Sequence, residues 1–148
     1  MIKTEVLEII RTVLTEKKTF IQETIRDLQA GLANDTKSSA GDKYETSREM
    51  SNQELEKISV QLNETNRQLA LLHQIEQSGP ATCVISGSLL HTTNGYFLIG
   101  IPVGTITVKE TAVYCISAGA PIAQVFLNRR AGDTILFGGK EIKLISVS

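Results

Sequence analysis

Asp42 and Glu45 stand three residues apart in "AGDKYETSREM", residues 40–50, at the start of a stretch with helical pattern. Two carboxylates at that spacing support two kinds of chemistry. An Asp at an N-cap with a Glu three residues on forms a capping box, in which each side chain accepts an orphan backbone N–H. The same pair is also a donor set that Mg²⁺ prefers, because that ion is commonly held by one or two carboxylates plus water and phosphate. The spacing alone does not choose, and the two roles are compatible. They compete only in that a carboxylate committed to a backbone N–H is partly satisfied before a metal arrives.

Other residues with chemical potential offer less. Cys83 and Cys115 lie in apolar runs, and with two separated histidines, His73 and His91, they make no tetrahedral zinc set. They read as buried, reduced thiols. Ser86 and Ser88 lack a nucleophile-elbow pattern. His73 near the end of the second helical run and His91 in the first hairpin have no evident partner.

The elements that must position Asp42 and Glu45 come in two sets of different period. From residue 2 to about 32, Val6, Ile10, Val13, Phe20/Ile21 and Leu28 recur at helical spacing, with Lys17 and Thr24 weakening the stripe. Leu55, Ile58, Leu62, Thr65, Leu69 and Leu72 form a cleaner heptad stripe. Between them "GLANDTKSSAGD", residues 31–42, reads as a polar loop. Two amphipathic helices joined by a short turn are expected to pair antiparallel as a coiled-coil hairpin. About 30 residues at 1.5 Å each give a rod of roughly 45–50 Å, with the acidic pair at its tip.

Gly79-Pro80 in "QSGPAT" stops the helix. Beyond it "TCVISGSLL", "YFLIGI", "TITV", "AVYCIS", "TILF" and "EIKLISV" read as strands. Asn94-Gly95 and Gly138-Gly139 are hairpin signals. One short helix fits "APIAQVFLNR", with Pro121 in its first turn, and "AGD" at 131–133 leads out of it. The expected fold is α+β: a coiled-coil hairpin over residues 1–78, then a small, mostly antiparallel sheet with one helix over 79–148.

Composition narrows the classes. The chain has 148 residues, a formal charge of −1 and 41% hydrophobic residues, so no global field argues for nucleic acid or membrane binding. Residues 1–78 carry ten Lys/Arg against thirteen Asp/Glu, and residues 79–148 carry five against three, so an acidic half is joined to a mildly basic one. Glu5, Glu8 and Arg11 interrupt any early apolar run, and no stretch approaches the roughly 20 apolar residues that span a bilayer. A cytoplasmic location is expected. The 5% aromatic content and absence of Trp argue against the aromatic-lined pocket of a prolyl isomerase. Neither Cys has the context of an acyl-transfer nucleophile.

With that order of elements, the chain resembles the bacterial Gre transcript-cleavage factors over nearly its whole length. "AGDKYETSREM" is similar to the family's tip motif, which reads Gly-Asp, two variable residues, then Glu; Asp42 and Glu45 match its acidic positions. "ISAGAPIAQVFLNRRAGDTI" is similar to the family's pattern of Ser, Pro-Ile, a short helix, a basic pair and Gly-Asp before the last hairpin. The resemblance implies an FKBP-like second domain that docks on RNA polymerase, with Pro121, Ile122, Arg129 and Arg130 in the matching stretch. It implies a coiled coil threaded into the secondary channel, and Asp42 and Glu45 helping to hold a Mg²⁺ shared with the polymerase active site, which then hydrolyses the backtracked RNA 3′ end. The protein would have no active site alone, and a hairpin filling its own seam would be a monomer. Lys37, Lys43, Tyr44 and Arg48 depart from the family around the acids. They read as solvated surface or as contacts to RNA phosphates, channel carboxylates or a base. These departures leave open a non-cleaving channel regulator, or a coiled-coil interaction protein, with the same shape.

Overall fold

The computed structural model describes the backbone of residues 2–35 and 41–148, and the side chains of 2–31 and 46–148. Its order is α1 (Lys3–Asp35), α2 (Gly41–Gln77), β1 (Leu89–Thr92), β2 (Gly95–Ile99), β3 (Gly104–Val108), β4 (Thr111–Ile116), α3 (Pro121–Phe126), β5 (Thr134–Phe137) and β6 (Lys140–Val147). The architecture is α+β. Its residues group into two compact units: Met1–Val13 with Ala70–Ser148, and Leu14–Leu69.

Both long helices run further than their composition suggests. α1 continues through Gly31 to Asp35 and α2 is helical from Gly41, so only the middle of the expected 31–42 loop is left between them. Adding a residue to an existing helix costs far less than nucleating one, so polar ends are carried along. On α1 the buried positions are Val6, Leu7, Ile10, Leu14 and Ile21, whereas Phe20 is 69% exposed and Val13 half-buried. The stripe therefore passes through Leu14, not through Val13 and Phe20. On α2 the buried positions are Ile58, Thr65, Gln68, Leu72 and Ile75, with Leu55, Leu62 and Leu69 half-buried.

The six strands form one sheet in the order β3-β4-β2-β1-β6-β5. Every pairing is antiparallel except β2 with β4, which run parallel from Tyr96↔Val113 to Ile99↔Ile116. The sheet is thus mixed, because the chain reaches the outer strand β3 before turning back to insert β4 beside β2. The central strands β1 and β2 are largely buried on both faces, which explains the apolar run "YFLI", whereas exposed positions recur along the other strands. On one face Leu90, Phe97, Ile99, Ile135, Ile142 and Leu144 gather with Val84 around Ala123 and Phe126 of α3. Leu89, Leu98, Ile106, Val108, Val113 and Cys115 occupy the alternate positions and are also buried. The first turns of α1 and the last turns of α2 approach this second face. Glu5 pairs with Lys109 at 3.1 Å, Lys3 Nζ donates to the Ser148 carbonyl at 3.3 Å, and Ile75 lies against Gly87. A Cβ at Gly87 would stand 2.8 Å from Ile75 Cγ1 at a φ of 99°, so glycine is required there. Arg11 and Glu76 join the two helices by an ion pair in the same unit.

One turn and one expected strand differ from their sequence signals, and a second turn carries no signal at all. Thr92 pairs with Gly95, so the β1–β2 hairpin forms with Thr93 and Asn94 as its central residues, one position earlier than Asn94-Gly95 implies. Thr92 Oγ1 explains the shift: it accepts the Asn94 N–H at 3.1 Å and donates to the Gly95 carbonyl at 2.8 Å. The β3–β4 hairpin turns through Lys109 and Glu110 at φ 47° and 68°, a turn with left-handed residues and no glycine to announce it. "TCVIS" is not a strand. Cys83 makes a single bridge to Arg130, while Val84 exchanges backbone hydrogen bonds with Asn128 and Arg129. The β5–β6 hairpin does turn through Gly138 and Gly139, whose positive φ values of 61° and 79° suit two glycines.

Candidate functional site

The acidic pair occupies the start of α2. Its backbone is helical from Gly41, which places Asp42 inside the first turn and not at the capping position before it. Positions 42 and 45 lie within one turn of each other. The side chains of Asp42, Lys43, Tyr44 and Glu45 lie outside the described residues, as does Lys37 entirely. Arg48 is described and exposed, one turn further along the helix, and is not without a partner. Among the described residues no cluster of His, Cys, Asp or Glu could hold a metal ion.

The second candidate stretch surrounds α3. Ala120 is extended before the helix, as a residue preceding Pro must be, and Pro121 opens it. Pro121 is exposed; Ile122 is half-buried and packs against the core cluster that includes Phe126. The Gln124 side-chain amide donates to the Ala118 carbonyl at 2.6 Å, and Ser117 Oγ accepts the Gly119 N–H at 3.0 Å, so the "SAGAP" turn is tied to the helix it precedes. After α3, Asn128 turns the chain at φ 68°, a conformation Asn tolerates better than most residues.

Arg129 and Arg130 follow, with their own backbone N–H and carbonyl groups engaged. Arg129 N–H donates to Phe126 O at 3.0 Å, and its carbonyl accepts the Val84 N–H at 2.8 Å. Arg130 N–H donates to Asp133 Oδ2 at 2.8 Å, and its carbonyl accepts the Asp133 N–H at 3.0 Å. Both side chains are exposed, and neither is in an ion pair among the described residues. A rigid backbone thus presents two adjacent guanidinium groups to solvent. That is a surface suited to carboxylates or phosphates, which guanidinium binds through paired N–H groups. The "AGD" motif has a structural job here, since the Asp133 carboxylate spends an oxygen on fixing this turn.

The remaining reactive groups are structural. Cys115 is buried and burial pushes its thiol up to about 12; Cys83 is half-buried, and both are free. Ser88 is buried and its Oγ accepts the Ile85 N–H at 3.0 Å. His73 is exposed. His91 stacks on Tyr96 across β1 and β2, with ring centroids 4.3 Å apart and planes within 5°. The alternation of the strands contained that pairing, since the residues stand opposite one another either side of the turn. Phe97 and Phe126 meet inside the core at 6.0 Å, and Tyr114 tilts against Phe97 at 5.4 Å.

No helix among the described residues is long and apolar enough to cross a membrane. No family model, curated protein or solved structure matches the chain.

Proposed function

We propose that this chain is a Gre-like elongation factor. In this reading the α+β sheet is an FKBP-like module that docks on RNA polymerase. α1 and α2 form an antiparallel coiled-coil hairpin that enters the secondary channel, and the acidic pair stimulates cleavage of backtracked RNA. The observation that carries the reading is the position of Asp42 and Glu45: the first two turns of a 37-residue helix preceded by one of 33 residues. Supporting it is the rigid Arg129-Arg130 turn, beyond a Pro-initiated helix, at the place the family pattern assigns to its basic pair.

The chain's own contribution is delivery. Two carboxylates are hard oxygen donors of the kind Mg²⁺ takes, so the donor set fits the ion, and a lone pair of them on one helix would hold it only weakly. Asp42 and Glu45 would add their charge to that of the polymerase's own ligands, and the ion, when bound, would supply Lewis acidity at the scissile phosphate. Arg129 and Arg130 would hold the polymerase surface. Lys43, Tyr44 and Arg48 flank the acids and would meet RNA or the channel wall.

The test uses stalled, backtracked elongation complexes. Asp42→Asn with Glu45→Gln is expected to reduce cleavage to the rate seen without the factor, while leaving polymerase binding intact. Cleavage at the wild-type rate by the double variant rules out the metal role. A wild-type protein that binds polymerase but slows it without cutting identifies a non-cleaving channel regulator, the reading favoured by Lys43 and Tyr44 standing between the acids. Arg129→Glu with Arg130→Glu is expected to weaken capture of polymerase; unchanged capture removes the basic turn from the interface.

A further inference from the structure

β5 forms one edge of the sheet, and the alternation of its ladder fixes which backbone groups it leaves open. Phe137 pairs with Lys140 across the two-residue turn Gly138-Gly139, and Ile135 pairs with Ile142. The closing pair of such a hairpin exchanges both its hydrogen bonds, so Phe137 and Ile135 direct their N–H and carbonyl groups towards β6. The Leu144 N–H, donating to the Asp133 carbonyl at 2.8 Å, continues the same alternation. Thr134 and Leu136 therefore direct theirs outward, and among the described residues nothing hydrogen-bonds to them there.

The side chains do not guard this edge. The segment Thr134-Ile135-Leu136-Phe137 holds no charge, proline or bulge, the usual devices that keep an edge from pairing. Leu136 is 67% exposed on one face and Phe137 37% exposed on the other. The opposite edge, β3, exposes Thr105 and Thr107 instead, and the neighbouring Lys109 is paired with Glu5. Around β5 the charge is one-sided. Of the five Lys and Arg in residues 79–148, four are Arg129, Arg130, Lys140 and Lys143. All four are exposed, and none is in an ion pair among the described residues. The carboxylates nearby in sequence are Glu141 and Asp133, and Asp133 already accepts the Arg130 N–H.

We propose that the β5 edge accepts an extended, acidic segment of a protein partner as an added strand. An edge offers N–H and carbonyl groups in alternation. Another peptide backbone matches that row, and a row of phosphates, which only accept, does not. The added strand hydrogen-bonds to Thr134 and Leu136, and its alternate side chains cover Leu136 on one face and Phe137 on the other. Acidic residues at its two ends meet Arg129-Arg130 before β5 and Lys140 after it, with Lys143 opposite Thr134. The same charges disfavour a second copy of this chain, because pairing two β5 edges brings two basic surroundings together. The inference does not require the partner to be RNA polymerase, and its test uses none.

The probe is the blocked, fluorescently labelled peptide Glu-Glu-Val-Thr-Val-Thr-Val-Glu-Glu, titrated with the full-length protein and read by anisotropy. Binding is expected to saturate, to weaken with added salt, and to fall about tenfold or more when lysine replaces every glutamate. Leu136→Pro removes an outward N–H and leaves the β5–β6 bonds in place. It is expected to melt within a few degrees of wild type and to bind about tenfold more weakly or worse. Leu136→Ala, which keeps the N–H, is expected to bind more tightly than the proline variant. Hydrogen exchange on the wild type gives a reading that needs no variant: the Thr134 and Leu136 amides are expected to slow when peptide is added. Absent binding up to about 1 mM protein overturns the proposal. So does equal binding of the lysine peptide, a folded proline variant that binds as wild type, or unslowed exchange at Thr134 and Leu136. A single-stranded RNA that displaces the peptide and slows neither amide overturns it in favour of nucleic acid.

Discussion

At Leu14 and Phe20 the helical stripe is decided by the angle each residue makes around the axis. At about 100° per residue, Val6, Ile10, Leu14 and Ile21 fall within about 80° of one another, while Phe20 lies about 90° from their centre. Both Phe20 and Ile21 satisfy a loose three-or-four spacing, and only the turn-by-turn angle separates them. The consequence is measurable. Leu14→Ala is expected to destabilise by about 2–4 kcal/mol in urea unfolding, because it opens a cavity at a fully buried position. Phe20→Ala is expected to change stability by less than about 0.5 kcal/mol. Cys115 gives a second residue-scale expectation. Its thiol ionises at about 9.0 when exposed and at about 12 when buried in the sheet, because burial disfavours the thiolate. The folded state therefore holds its proton more tightly. The stabilisation from the neutral thiol is complete below about pH 9 and is lost as pH rises towards 12. Cys115→Ala should flatten the decline in unfolding free energy over that window relative to wild type; an equal slope would show that other groups set the alkaline limit.

Among the turns, Gly138-Gly139 and Lys109-Glu110 do the same work with opposite visibility. Both pairs take left-handed conformations at the centre of a two-residue hairpin. Two glycines announce that geometry in the sequence and Lys-Glu does not, since side chains there carry a steric cost of about 1 kcal/mol or more. Glu110→Gly is accordingly expected to raise the melting temperature by a few degrees, read by calorimetry, with the Lys109–Glu5 ion pair left in place. Legibility elsewhere followed the same physics. Strands whose hydrogen-bond partners are near in sequence were readable from β-branched runs and turn residues. "TCVIS" has the composition of a strand, but its backbone is claimed by Asn128–Arg130, a pairing more than forty residues away that no local pattern encodes. The parallel β2–β4 pairing was hidden for the same reason. The long helices were readable from their stripes, and their ends were not, because a helix extends through polar residues once started.

For the molecule as a whole, the α+β plan was visible in the switch from a helical to a strand-like period near Gly79-Pro80, a change that any assignment of elements must respect. The candidate site was legible only in part. The acids at 42 and 45 and the arginines at 129 and 130 stand out by residue type and position. The network that stiffens the arginine turn, through Phe126, Val84 and Asp133, depends on the tertiary fold and leaves no trace in residue spacing. Under the proposed docking on polymerase, Asp133→Ala, which removes the carboxylate that accepts the Arg130 N–H, is expected to weaken capture less than Arg129→Glu/Arg130→Glu, yet more than a surface substitution remote from it, as measured in the same pull-down.

The sheet-bearing unit draws on Met1–Val13 and on everything from Ala70 onward, and β6, the last strand in chain order, lies inside the sheet between β1 and β5. A ribosome therefore releases the α1 residues belonging to this unit long before any strand exists for them to cover. The sheet cannot close until β6 has emerged. During synthesis the two long helices can form early from local contacts, while β1 waits with one edge unpaired for a strand some fifty residues downstream. The nascent chain should therefore be most vulnerable to aggregation in the interval between the emergence of β4 and that of β6.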